Sequence, residues 1–93
     1  MSQEPEPPTP GQHLATTSHG GRFWEVYLEF EEAARHTDSY RARLAFLPAD
    51  QNDGEEVLRT IWVIIEPSYE EAMHKARGFE EHQFQAFLRS VLP

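Results

Sequence analysis

An apolar run in the second half of the chain stops at a proline, and a helix-start signal follows at once. Leu58-Arg-Thr-Ile-Trp-Val-Ile-Ile-Glu66 holds β-branched and aromatic residues in both of its alternating sets. That pattern predicts a strand, about Val57 to Glu66, covered on both sides. Pro67 cannot donate a ladder hydrogen bond and ends the strand. Ser68 stands three residues before Glu71, the spacing of a capping box that satisfies the first free helical amides. Tyr69, Ala72, Met73 and Ala76, then Phe84, Phe87, Leu88 and Val91, recur at helical spacing almost to the last residue. Gly78 interrupts this run at about 1 kcal/mol relative to alanine, which predicts a bend or a close approach of backbone to the sheet. Placing Thr60 inward is easier than placing Arg59 inward, so Trp62 and Ile64 are expected to face the helix.

Two upstream segments alternate with period two. Trp24, Val26, Leu28 and Phe30 share one side of the first, and Tyr40, Ala42, Leu44 and Phe46 one side of the second. Folded as an antiparallel hairpin around 33–37, they pair Phe30 with Tyr40, Leu28 with Ala42, Val26 with Leu44 and Trp24 with Phe46. The other side then sets Glu29 against Arg41 and Tyr27 against Arg43, with Arg43 diagonal to Glu25 and Glu29. One register satisfies both faces, as cross-strand pairing requires. Segment 31–38 contains helix formers and can hold a helical turn. The polar Pro48–Gly54 segment, with its Asp-Gly, reads as a turn before the last strand.

Residues 1–21 contain four prolines and three glycines, and Leu14 is the only aliphatic residue larger than alanine after the start methionine. Nothing there offsets the entropy of ordering, so a disordered acidic tail is expected over 1–21 and a single small domain over 22–93. Pro5–Pro8 and Pro7–Pro10 match a PxxP spacing but lack the flanking basic residue such ligands usually offer. The opening residues lack the basic and apolar regions of a signal peptide, and the longest apolar run is far too short to cross a bilayer. A soluble, cytoplasmic protein is expected.

Charge and composition narrow the function classes. The net charge of −8, from 16 acidic and 8 basic residues, opposes a phosphate backbone. There is no cysteine, which removes thiolate catalysis, disulfides and cysteine-bound zinc. His74 and His82 are eight residues apart, so on a straight helix they point about 80° away from one another and do not form a zinc pair. Glu25 and Glu29 share a face, as the carboxylates of a hydrolase do, but they also face Arg41 and Arg43. Neighbouring guanidinium groups lower a carboxyl pKa, whereas a general acid needs it raised. No His stands at a nucleophile–base spacing from Ser39 or Ser68, and Gly20-Gly21 does not open a phosphate loop. No catalytic residue, cofactor or metal is expected.

The resulting expectation is an α+β fold: a three-stranded antiparallel β-β-β sheet followed by one long C-terminal helix packed on one face. One helix covers one face, which leaves Phe23, Tyr27, Arg41, Arg43, Leu47 and Arg59 on the other. An open face with that much apolar area is expected to meet another polypeptide, most simply a second copy in a two-fold homodimer. The runner-up partner is single-stranded nucleic acid, gripped by the arginines and aromatics of the same face.

Overall fold

In the computed structural model, residues 11–31, 39–50 and 55–93 are described. These described residues form an α+β domain with five strands and two helices among them: β1 (Gln12–His19), β2 (Arg22–Phe30), β3 (Tyr40–Pro48), β4 (Leu58–Arg59), β5 (Ile64–Glu66), α1 (Tyr69–Arg77) and α2 (Glu81–Val91). The sheet runs β1-β2-β3-β4, all antiparallel, and β5 pairs with the same side of β3 as β4.

This corrects the three-stranded, one-helix expectation in three places. First, residues 12–19, expected in a disordered tail, form the edge strand β1. The turn from β1 to β2 is Gly20-Gly21, with φ of 61° and 80°. Two residues with positive φ give the hairpin turn whose twist matches the flanking strands. Gly11, just before β1, has φ 43°, and a Cβ there would fall 1.9 Å from the Leu28 carbonyl oxygen. Only glycine lets the chain enter the strand so close to β2. The PxxP residues and the expected helical turn of 31–38 lie outside the described residues, apart from Glu31.

Second, the last strand is broken. Phe46 pairs with Leu58 and Ala42 with Ile64, so four steps along β3 match six along its partner. The two extra residues make a bulge opposite Arg43. Thr60 secures it: its amide donates to the Leu44 carbonyl, and its Oγ1 accepts from the Leu44 amide at 3.1 Å while donating to the Ile61 carbonyl at 2.7 Å. A side chain thus replaces a missing ladder carbonyl. The strand is not covered on both sides, since Ile61 and Ile65 are 82% and 58% exposed. Ile64 faces the core as expected. Trp62 does not join the core; it lies half-buried with the Arg43 guanidinium 4.6 Å from its ring centroid.

Third, the single long helix is two. Ser68 Oγ caps α1 by accepting from the Glu71 amide at 3.1 Å. Gly78 receives the end of α1, and its amide donates to the carbonyls of His74 and Lys75. α2 restarts at Glu80, whose amide donates to Gln83 Oε1 at 2.8 Å. Gly78 therefore ends a helix rather than bending one.

The β2–β3 hairpin forms, two residues out of the expected register. Val26 pairs with Phe46, Leu28 with Leu44 and Phe30 with Ala42. A shift of two preserves which side each residue faces. Trp24, Val26, Leu28, Ala42, Leu44, Phe46 and Ile64 therefore still form one layer of the core. Ala72, Met73 and Ala76 of α1 and Phe84 and Leu88 of α2 form the other. Both helices lie on this side of the sheet, and among the described residues no helix or strand covers the opposite side. The Trp24 indole N–H is buried without an acceptor among the described residues. Such a group costs about 1–3 kcal/mol, which the packing of a large ring offsets.

Candidate functional site

Strand alternation lines the uncovered face with side chains from five strands. Glu29 is the pivot. Arg43, directly opposite it on β3, donates to its carboxylate at 2.8 Å, and Arg59 of β4 donates at 3.0 Å. Burial pushes the Glu29 carboxyl up, but Arg59 and Arg43 outweigh burial and leave its pKa below the ordinary value. Glu25 is the second pivot, accepting from Thr16 at 2.7 Å and lying 2.6 Å from His13 Nε2. Those two partners, Thr16 first, hold the Glu25 carboxyl below its usual range. Tyr27 sits between the two pivots, half-buried, with its ring edge-on to His13.

The six residues expected on this face occupy distinct settings. Phe23 is 65% exposed at the end beside the β1–β2 turn. Arg41 pairs with Glu31 at 3.8 Å at the other end. Arg43 and Arg59 converge on Glu29, and Tyr27 lies near the middle. Leu47 is buried. The exposed apolar residues do not form one patch: Phe23 is beside Ala49 and Ile65 is opposite Arg41. Those positions are about 26 Å apart along β3 at the usual strand rise. Between them the face carries Glu25, Glu29, Arg43 and Arg59 with the half-buried rings of Tyr27 and Trp62.

An apolar groove opens instead at the broken edge. It measures about 390 Å³ and runs between the bulge and the end of α2, lined by Thr60, Ile61, Val63, Phe87 and Val91 among others. Sequence reading placed Ile61 in a covered strand and so did not single it out. No sequence signal marks the bulge, because Thr60 makes it through tertiary hydrogen bonds.

Another cleft, about 480 Å³, lies at the start of α1 and is lined by Glu66, Glu70, Glu71, His74 and Lys75. Among the described residues no group of three or more His, Asp or Glu is arranged to hold a metal ion. His74 and His82 fall on different helices. No helix among the described residues is long and apolar enough to cross a membrane. No family model matches this chain, and no curated protein or solved structure is significantly similar to it.

Proposed function

We propose that the domain is a non-catalytic protein-binding module that takes its partner along the broken edge of the sheet. The observation that carries this reading is Ile61, a large aliphatic side chain 82% exposed on the rim of an apolar groove. Phe87, Val91 and Val63 supply apolar walls, and Ile65, also exposed, stands four residues further along the same edge. An isolated exposed aliphatic residue is ordinary, but one set over a groove of this chemistry is what interface anchors share. A second reading, single-stranded nucleic acid, draws on Trp62 beneath Arg43 on the open face. Against it, Glu25 and Glu29 occupy that face, Arg43 and Arg59 are both drawn onto Glu29, and the net charge is −8.

The test is a photo-reactive phenylalanine analogue at position 61, irradiated in the native host, with the same group at His82 as a control. A protease-sensitive adduct at 61 and not at 82 supports the reading. A nuclease-sensitive adduct at 61 favours nucleic acid, and no adduct at 61 contradicts a macromolecular partner on this edge.

A further inference from the structure

We infer that β1 pairs edge to edge with β1 of a second copy of this chain, antiparallel, about a two-fold axis at Thr17. This goes beyond the groove on the other edge and stands on different atoms.

The backbone of β1 fixes which groups are available. His19 and Arg22 close a two-residue turn, so hydrogen-bonded pairs alternate from there: His19 with Arg22, then Thr17 with Trp24. The amides and carbonyls of Thr16 and Ser18 therefore point away from β2. Two further observations agree. Phe23 and Glu31 of the β2 segment spend their backbone groups on β3, through Ala49 and Arg41, which leaves the even-numbered residues for β1. Gln85 Nε2 reaches the Ser18 carbonyl at 3.0 Å from outside the ladder. A carbonyl has two lone pairs, so Ser18 can accept a second donor.

β1 lacks most of the usual protections of an edge. It is eight residues long and contains no Lys, Arg, Asp, Glu or Pro. A bulge between His13 and Ala15 is the one irregularity, and it leaves Ala15–His19 regular. The midpoint of that regular part is Thr17.

Pairing about Thr17 makes the strand its own complement. Thr16 falls opposite Ser18 of the second copy and Ser18 opposite Thr16, so each outward amide meets an outward carbonyl. On the open face this sets hydroxyl beside hydroxyl, a favourable cross-strand pair. On the helix side Thr17 meets Thr17 and Ala15 meets His19. No pair opposes like charges from acidic or basic residues. The two nearest acids are each satisfied within their own copy: Glu81 by Thr17 Oγ1 at 2.7 Å and Gln85 Nε2 at 3.1 Å, and Glu25 by Thr16 Oγ1 at 2.7 Å and His13 Nε2 at 2.6 Å. A strand of small hydroxyl residues gives an unrelated peptide few side-chain handles, whereas a two-fold repeats every contact.

The experiment is sedimentation velocity on the full chain over a wide concentration range, with disulfide trapping. The chain has no cysteine, so introduced thiols report only on themselves. Residues opposite one another in an antiparallel pair have Cα atoms about 5.5 Å apart, within disulfide reach. The expected results are a mass that doubles with concentration and a covalent dimer from mixed Thr16→Cys and Ser18→Cys chains well above either alone. Thr16→Pro, which removes an outward amide, is expected to return the mass to the monomer. Thr16→Lys serves the same purpose by charge if the proline variant fails to fold. Ile61→Asp is expected to leave the mass unchanged. A monomer at every concentration overturns the inference. So does a dimer that Ile61→Asp breaks and the Thr16 variants do not, or trapping no greater in the mixture than in single variants.

Discussion

At one margin of the sheet the chain runs as two stubs, Leu58–Arg59 and Ile64–Glu66; at the other it runs unbroken from Gln12 to His19. The broken margin turns its polar groups inward. Thr60 covers the Leu44 amide, Arg59 closes onto Glu29, and the bulge spoils the regular spacing a new strand needs. What it offers is side chain, namely Ile61 over an apolar groove. The continuous margin has the reverse character, with small hydroxyl side chains and a row of outward backbone groups. One small domain thus presents two unlike margins, apolar at β4–β5 and rich in outward backbone groups at β1.

The contrast presumes that both margins hang on one core, and Phe46 tests that presumption hardest. It is fully buried on β3, paired with Val26 on one side and Leu58 on the other. Phe46→Ala is expected to lose about 3–5 kcal/mol in urea denaturation and to loosen both margins together. Loss at one margin alone breaks the comparison. Thr60→Val comes next. It keeps the volume but leaves the Leu44 amide without its acceptor, and about 1–3 kcal/mol of stability should go with it. A neutral result means that the bulge does not depend on the hydroxyl.

Glu29→Gln sharpens the view of the open face. Its ion pairs are partly exposed, so a loss of about 1 kcal/mol at neutral pH is expected. The sign of the pH dependence follows from a folded-state pKa below the ordinary 4.5. Glu29 then contributes fully above that value and loses its contribution as the pH falls through the folded pKa. Acid titration of stability below the ordinary value should therefore be shallower in the variant than in wild type. The residual slope should include Glu25, whose pKa is lowered in the same direction. Gln85→Ala should be the mildest change, under about 1 kcal/mol, because the Ser18 carbonyl it frees meets water.

The differences between sequence and structure follow the same division between margins. The interior hairpin was legible from alternation, including which residues face the helices. Its register was not, because a two-residue slip leaves both faces intact and still gives Glu29 an arginine, Arg43 in place of Arg41. β1 was hidden by its composition: Thr, Ser, His and Ala carry little apolar signal, and the Gly20-Gly21 turn was the cue that could have revealed it. The broken strand was hidden for the opposite reason, since Ile61, Trp62 and Ile65 read as core although none packs there. The helix break at Gly78 was marked by the glycine, while the restart depended on Gln83 reaching back to Glu80. Of the open-face residues, Glu29 and Arg43 were recognisable as a charge match; the approach of Arg59 to Glu29, the pairing of Glu25 with His13 and Thr16 instead of arginine, and the groove were not, because each depends on β1, β4 or the bulge being placed by the fold.

Residue-resolved amide hydrogen exchange along Gln12–His19 tests the placement of β1 most directly. At low concentration the Thr17 and His19 amides should be protected, while those of Thr16 and Ser18 exchange fast. On raising the concentration, Thr16 and Ser18 should gain protection as the second copy docks. Uniformly fast exchange across 12–19 would remove β1 from the sheet. Protection at Thr16 and Ser18 that ignores concentration would contradict an edge open to a second copy.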